Sequence, residues 1–453
     1  MRKIGKYQIT GELGRGGMGR VLKVRHPEIF RILAAKVFAP HPFLISSVGE
    51  KRLHSMFIEE ARKMATLSHP NIAGVEDLHC GETTFYTMPC YSRSLGMVMG
   101  ENAEMEAPCR SLDPGSALHF LHQLLTGLHC LHFHRIIHRD IKPWNLLLDD
   151  EDRLILGDFG LSRLRGETTG TPENIKVGSP WYAPPEQEEN ADSADERSDI
   201  YAASMVFYRM LTGVFPLEKS SSDLLPAPTE LWQAFLEKGL ACDPSLRFPN
   251  VEKMLEALDV LGLSWRRFRE KECSIYFHSE ETTRQLSAEL RQKPLRTGVR
   301  GPLHHMLGAD ALYRPVRMTH NQFRSEPDTG LIYDAATGLL WEKSGSPFPL
   351  NRRDADQWIE MLNKKSDKHG GCWRLPTVPE LFSITRRTMT PSEYCMEYPF
   401  NPRQAWVWTA DDRSYVSSWF VDILRGFTAP MDRDGHCYVK GVCGPFSEPA
   451  KPF

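Results

Sequence analysis

In the stretch IIHRDIKPWNLLL, residues 136–148, His138, Arg139, Asp140, Lys142 and Asn145 stand between two apolar ends. Apolar flanks of this kind belong in buried or half-buried strands, so the polar middle must be held at a fixed place. Asp140 is a carboxylate able to accept a proton from an attacking hydroxyl. Lys142 is a cation able to steady a phosphoryl group as charge spreads over its oxygens. Asn145, and Asp158 thirteen residues further on in GDFGLSR, are hard oxygen ligands suited to Mg2+ bound to polyphosphate.

A second set of residues near the start of the chain fits the same chemistry. GRGGMGRV carries Gly14, Gly16 and Gly19, followed by Val21. Glycines let a backbone approach a phosphate without a clashing Cβ. A G-x-G-x-x-G of this kind also marks dinucleotide folds, but those need a strand followed by a helix. Here the glycines join two strand-like segments, which disfavours a nicotinamide or flavin cofactor. Seventeen residues past Gly19, Lys36 stands inside the apolar run LAAKVF. A lysine there is expensive unless paired, and Glu60 on the following helix or phosphate oxygens are its candidate partners.

The elements that must position these residues follow from periodicity. Residues 7–39 alternate like strands with turns, and MFIEEARKMATL repeats Phe57, Ala61, Met64 and Ala65 at helical spacing. From residue 114 a helix repeats Leu118, Leu121, Leu125 and Leu128, and mostly helical pattern continues from the strand LILGDFGL to about residue 263. A small β-rich lobe followed by a larger α-rich lobe results. Residues 264–319 are basic, with Pro and Gly, and read as a tether with some helix; residues 320–446 form a second compositional unit.

Composition bounds the rest. The 453 residues suggest two to three domains, and 41% hydrophobic with 25% charged residues is ordinary for globular proteins. A net charge of −3 demands neither nucleic acid nor an anionic membrane. No run approaches the roughly 20 apolar residues of a membrane span, and the start lacks the apolar segment of a signal peptide, so the cytoplasm is the expected location. None of the ten Cys forms a C-x-x-C pair. Cys372, Cys395, Cys437 and Cys443 cluster late and read as free buried thiols in a reducing compartment, in preference to a disulfide pair. His119, His122, His129 and His132 lie on the Leu-rich helix without a carboxylate ligand pattern, so a metal reading is disfavoured.

The ordered set GRGGMGRV, AAK, the helical Glu60, HRDIKPWN, DFG and PPE resembles the bacterial eukaryotic-type (Hanks-type) serine/threonine protein kinases, over about residues 7–263. The resemblance implies an α+β, bilobal fold, with ATP and Mg2+ as cofactors and protein substrates as acceptors. It implies that Leu13, Gly14, Gly16 and Gly19 line the nucleotide, the glycines covering its phosphates, and that Val21, Ala34 and Leu147 sandwich adenine. Lys36 would contact the α- and β-phosphates and pair with Glu60; Met88 would stand at the back of the pocket and Cys90 on the hinge. Asp140 would be the catalytic base, with Lys142 and Asn145 beside it, and Asn145 and Asp158 would hold Mg2+.

IKP after Asp140 resembles the serine/threonine class, with Ser179 of GSPWY where that class usually has Thr. Arg139 is of the kind that pairs with an activation-segment phosphate, which makes Thr168, Thr169 and Thr171 candidate autophosphorylation sites; a plain Thr/Gly-rich loop is the alternative. Three departures stand out. Pro184 replaces the Ala of the usual APE triplet, although Glu186 and Arg247 remain for the bracing ion pair. Ser204 replaces a usual Gly, which puts helix packing there in question. Arg247 follows Gly213 by only 34 positions, which shortens the region that helps dock protein substrates. That shortening motivates a second reading, a catalytically weak nucleotide-binding scaffold whose C-terminal domain is the working module. A small-molecule kinase is disfavoured by the substrate loop GSPWYAPPE.

In the second unit, LIYDAATGLLWEK reads as two strands around a turn, and RRDADQWIEMLN as a helix with Ala355, Trp358, Ile359 and Leu362 on one face. Thr377 and Glu380 have capping-box spacing, and AWVWTA, SYVSSWFVDI and CYVKGVC are strand-like, giving an α+β unit with an antiparallel sheet. TGLLWEKSG, the Trp358 helix, WRLPTVPEL, WVWTA and YVKGVC together resemble the Lcl C-terminal-like domain found on a bacterial collagen-like adhesin, over about residues 320–446. The resemblance implies a C-type-lectin-like frame and an unknown ligand or partner. Trp406, Trp408 and Trp419 read as core in preference to a binding surface, and DRDGH at 432–436 as a polar turn in preference to a cation site.

Overall fold

The computed structural model describes residues 2–101, 107–158, 163–164, 181–190, 193–216, 224–275, 290–298, 303–317, 319, 321–326, 330–365, 372–387, 394–396, 400 and 404–445. The chain divides into two units, Met1–Ser274 and Ile275–Phe453.

In the first unit, strands β1 (Lys3–Ile4), β2 (Tyr7–Arg15), β3 (Gly19–Arg25), β4 (Ile32–Phe38), β5 (Asp77–His79) and β6 (Phe85–Pro89) form one antiparallel sheet, ordered β1-β2-β3-β4-β6-β5. Strand alternation splits its side chains between two faces. Leu22, Val24, Leu33, Ala35, Val37 and Phe85 join Ile4 and Tyr7 in an apolar cluster on one face. The opposite face is left to Val21, Lys36 and Tyr86, which are register partners across β3, β4 and β6, and to Lys23, Ala34 and Met88, the next such row. Helices α1 (Pro42–Val48) and α2 (Glu50–Ala65) connect β4 to β5. The buried stripe of α2 is Leu53, Phe57, Glu60, Ala61 and Met64; Ala65, read into the stripe from spacing, is exposed at the helix end.

The rest of the first unit is mostly helical. Strand β7 (Arg93–Ser94) and helix α3 (Leu95–Met99) lead to α4 (Pro114–Phe133), capped by Asp113, whose carboxylate accepts from Ser116 N–H at 2.9 Å. Phe120, Leu121, Leu124, Leu125, Leu128 and Leu131 of α4 are buried. His119, His122 and His129 are exposed, while His132 is buried. Among the described residues no group of His, Cys, Asp and Glu could hold a metal ion. Short strands β8 (Ile136–Ile137), β9 (Leu146–Leu148), β10 (Leu154–Leu156) and β11 (Arg163–Leu164) follow, then helices α5 (Pro185–Glu189), α6 (Glu196–Thr212), α7 (Thr229–Gly239) and α8 (Val251–Ile275).

Two of the departures in sequence have local explanations. Glu186 holds buried Arg247 through two contacts, 2.7 and 2.8 Å, so the brace stands with Pro184 capping α5. Ser204 is accommodated by Gly239: a Cβ on Gly239 would lie 2.1 Å from Ser204 Oγ. The side chain added on α6 is matched by one missing on α7. Helix α8 continues through residue 264 to Ile275, into the stretch read from composition as a tether.

The second unit holds β12 (Phe323–Glu326), β13 (Leu331–Asp334), β14 (Leu339–Glu342), α9 (Arg352–Lys365), α10 (Val378–Ser383), β15 (Thr385–Arg387), β16 (Tyr394–Met396), β17 (Trp406–Asp412), β18 (Ser417–Asp422), β19 (Phe427–Asp432) and β20 (Val442–Cys443). Its larger sheets are antiparallel, ordered β12-β13-β14-β20 and β17-β18-β19. Thr377 and Glu380 make the capping box on α10. Trp406, Trp408 and Trp419 are buried, each indole N–H bonded, to Asp422 Oδ2, Leu350 O and Thr297 Oγ1. Asp432 accepts from Asp434 N–H and Gly435 N–H, so DRDGH is a turn.

Residues upstream of β12 belong to this unit's core. Leu303, Leu307 and Ala309 pack with Trp341, Leu381 and Trp419, with Leu290 against them. Arg291 makes a two-pronged ion pair with the fully buried Asp411, at 2.8 and 2.9 Å. The free-thiol expectation is corrected at one pair: Cys372 and Cys443 form a disulfide, with Cα atoms 5.3 Å apart. The bridge between Arg374 and Val442 brings the two cysteines side by side, a proximity hidden by 71 residues of separation. Cys437 is buried, its thiol facing Met431 Sδ at 3.7 Å. No helix among the described residues is long and apolar enough to cross a membrane.

Candidate active site

The upper side of the site hangs from the sheet face that lacks the apolar cluster. Strands β2 and β3 meet in a tight turn closed by Gly16 N–H on Gly19 O at 2.9 Å. The three glycines differ in surroundings. A Cβ on Gly14 or Gly16 would meet nothing within 4 Å, whereas a Cβ on Gly19 would lie 2.0 Å from the Val37 carbonyl oxygen. Gly19 is therefore demanded by the close approach of β4, while Gly14 and Gly16 leave open backbone. Leu13 is exposed beside them. Val21 is half-buried, Ala34 buried, and Met88 and Cys90 half-buried at and just beyond the end of β6.

Lys36 lies on that face, nearly buried, and holds two carboxylates. Its Nζ donates to Glu60 Oε1 at 2.7 Å and to Asp158 Oδ1 at 2.8 Å. Glu60 comes from the buried stripe of α2, and Asp158 from the chain just after β10. An unpaired ammonium here would cost several kcal/mol. Burial works to lower the Lys36 pKa, but the charges of Asp158 and Glu60 outweigh it and hold it well above its ordinary value. Lys36 in turn pulls Asp158 down to about 2, against burial. Glu60 is pushed up by burial, a shift that Lys36 opposes.

The lower side is a polar loop strung between apolar anchors. Ile136, Ile137, Leu146, Leu148, Leu154, Ile155 and Leu156 are all buried. Within the loop, Asp140 Oδ2 accepts from Lys142 Nζ at 2.9 Å and from Asn145 Nδ2 at 2.9 Å; the same Nδ2 also reaches Asp140 O at 2.8 Å. Leu147 is half-buried, and its Cδ1 would stand 3.2 Å from a Cβ on Gly157. Arg139 and Asp158 have positive φ, 70° and 57°, a conformation costly for residues with side chains.

What holds the loop so shaped is Asp199 on α6, which the sequence reading passed over. Its Oδ1 accepts from Arg139 N–H at 2.9 Å, and its Oδ2 from His138 N–H at 2.9 Å and from His132 Nε2 at 2.8 Å. His138 spans the loop, accepting from Asp140 N–H on Nδ1 and facing Gly157 O from Nε2 at 3.1 Å. A carboxylate followed directly by the apolar run IYAASMVF was the one available signal for Asp199. Tyr86 was also passed over, although its hydroxyl donates to Glu60 Oε1 at 2.9 Å.

The structure thus brings together Lys36, Glu60 and Asp158 in one cluster and Asp140, Lys142 and Asn145 in another, and Asp158 feels the positive charge of Lys142. The donor set suits a cation carrying phosphates: a carboxylate on Asp158 that is half-exposed and kept ionised, and an amide on Asn145 whose nitrogen is turned to Asp140. Thr168, Thr169, Thr171 and Ser179 lie outside the described residues.

The protein kinase domain family matches residues 7–256, and the Lcl C-terminal domain family matches residues 330–443. Serine/threonine-protein kinase PrkC of Bacillus subtilis is 29% identical over 284 residues, covering 58% of this chain and 42% of PrkC. Serine/threonine-protein kinase PknJ of Mycobacterium tuberculosis is 29% identical over 273 residues, covering 55% and 44%. The DNA damage-responsive serine/threonine-protein kinase RqkA of Deinococcus radiodurans is 34% identical over 217 residues, covering 47% and 30%. The matched region thus spans less than half the length of each of these curated relatives. Among solved structures, the PknI kinase domain of Mycobacterium tuberculosis aligns with 23% identity and a TM-score of 0.45, over 58% of this chain and 97% of that one. With more than half of its residues matched by the kinase domain model, the chain belongs to the protein kinase family.

Proposed function

We propose that this chain is an active serine/threonine protein kinase that uses Mg-ATP, phosphorylates its own activation segment and protein substrates, and uses its second unit to recognise a ligand or substrate. The observation that carries the reading is the pairing of buried Lys36 with both Glu60 and Asp158, beside an Asp140 braced by Lys142 and Asn145. In this reading Gly14 and Gly16 approach the phosphates, with Gly19 shaping their turn. Leu13, Val21, Ala34, Met88, Cys90 and Leu147 enclose the base, and Lys36 binds phosphate oxygens. Asn145 and Asp158 hold Mg2+. When bound, Mg-ATP supplies the transferable γ-phosphoryl group and the cation that offsets its charge. Asp140 takes the proton of a serine or threonine hydroxyl as that oxygen bonds to phosphorus, and ADP leaves with the electron pair of the broken P–O bond. Lys142 spreads positive charge toward the oxygens in transfer.

The test is to incubate the purified chain with Mg-ATP beside Lys36→Met and Asp140→Asn, and to map phosphosites by mass spectrometry. The expected result is phosphate on Thr168, Thr169 or Thr171 in the wild type, with both variants slower by about a hundredfold or more. Bound ATP with no phosphate in any sample would sink the proposal and leave a nucleotide-binding scaffold.

A further inference from the structure

We infer that Tyr86 is a positioning residue for phosphoryl transfer: its hydroxyl fixes the Glu60 carboxylate, and through Glu60 it aims the Lys36 ammonium. The inference rests on the kinase reading above, and its geometry is independent of that reading. Tyr86 and Lys36 are direct register partners on the adjacent antiparallel strands β6 and β4, so both side chains leave the same face of the sheet. One oxygen, Glu60 Oε1, collects both donors, Lys36 Nζ at 2.7 Å and Tyr86 Oη at 2.9 Å. Lys36 is shared with Asp158, so it cannot by itself fix where Glu60 points. The other Glu60 oxygen, Oε2, is buried and has no hydrogen-bond partner among the described residues. The tyrosine hydroxyl is therefore the second fixed point that stops the carboxylate from turning.

The ring reinforces the grip. Tyr86 is 1% exposed, and its ring lies 5.3 Å from that of Phe57, centroid to centroid. Phe57 precedes Glu60 by three residues on α2, so both lie on one helix face. Tyr86 thus touches α2 twice, by ring and by hydroxyl. Phenylalanine would keep the first contact and the volume while removing the second, and a buried hydroxyl is costly unless it is bonded. The residue type at position 86 is thus accounted for by the bond to Glu60.

The experiment compares the full chain with its Tyr86→Phe variant, alone and in a Glu60→Gln background. Two readouts are taken: kinetics against ATP, and hydrogen exchange of residues 50–65 without nucleotide. We expect an about five- to tenfold rise in KM for ATP with kcat nearly unchanged, and faster exchange in α2. In the Glu60→Gln background the same substitution should add less than about twofold. Unchanged KM and unchanged α2 exchange would overturn the inference. An equal loss in the Glu60→Gln background would also overturn it, because Tyr86 would then be acting as core alone. A wild type without turnover overturns the kinase reading instead, and the exchange measurement still decides whether Tyr86 holds α2.

Discussion

Asp158 links the two lobes of the first unit where its Oδ1 accepts from the Lys36 ammonium at 2.8 Å. The pair has a sign that can be checked. A carboxyl whose folded pKa is depressed contributes stability above its ordinary pKa and loses it as pH falls toward the folded value. For Asp158 that window runs from 3.8 down to about 2, set first by the charge of Lys36. The difference in denaturation midpoint between the wild type and Asp158→Asn should therefore be flat from pH 7 to about 4, and should shrink below that. A difference that changes between pH 5 and 7 would show that some other group controls it. Asp140, Lys142 and Asn145 were legible as candidates because their chemistry is written in their types: an acid, a lysine and an amide in an otherwise apolar stretch have few uses. Asp199 was not legible. Its place near the start of a helix reads as a favourable charge at a helix N-terminus, and its three partners come from residues 132–139. Burial works to raise its carboxyl, but the bond to His132, the charges of His132 and His138 and the backbone donors hold it below the ordinary range.

At the level of elements, the glycine turn shows what spacing can and cannot say. Gly14, Gly16 and Gly19 look equivalent in GRGGMGRV, yet of these three only Gly19 is forced by its neighbours. The difference arises from the register of β3 on β4, which sets Gly19 opposite Phe38 and against the Val37 carbonyl. No periodicity within residues 12–21 contains that contact. Gly19→Ala should cost about 1–3 kcal/mol of stability by prising the strands apart. Gly14→Ala and Gly16→Ala should leave stability within about 0.5 kcal/mol and weaken ATP binding instead. Thermal melts with and without Mg-ATP separate the two classes; equal melting of all three variants would mean that β4 yields easily. Ser204 and Gly239 teach the same lesson on helices. A serine in α6 looks like a packing fault until the glycine that faces it, 35 positions later, is known.

Over the whole chain, composition separated a kinase-like part from a Trp-rich part, and the strand and helix patterns of both are recognisable in the sequence. Composition alone could not tell which residues of the basic stretch 264–319 fold with which part, because basic, proline-containing sequence looks like a tether whether or not it packs. The Cys372–Cys443 disulfide was hidden for a related reason: pairing depends on which strand ends meet. It closes a long loop, so its reduction should destabilise the second unit by about 2–4 kcal/mol. Melting of the full chain followed by tryptophan fluorescence should show a transition lowered by reductant in the wild type. In Cys372→Ser that transition should be equally low and indifferent to reductant. A wild type whose melting ignores reductant would count against the disulfide.

The ion pair between Arg291 and Asp411 has a practical consequence for anyone who wishes to cut this protein. The family match begins at residue 330, and a fragment started there would look complete by homology. It would lack Arg291 and the Leu295 N–H, two of the groups that satisfy the Asp411 carboxylate, and among the described residues would retain the Val378 N–H as its one donor. It would lose the Thr297 hydroxyl under the Trp419 indole and leave hollows where Leu303 and Leu307 sit. A buried charge stripped of its cation costs about 3–5 kcal/mol, a large share of what a domain of this size has in reserve. The scissors belong ahead of Leu290, forty residues before the family match begins.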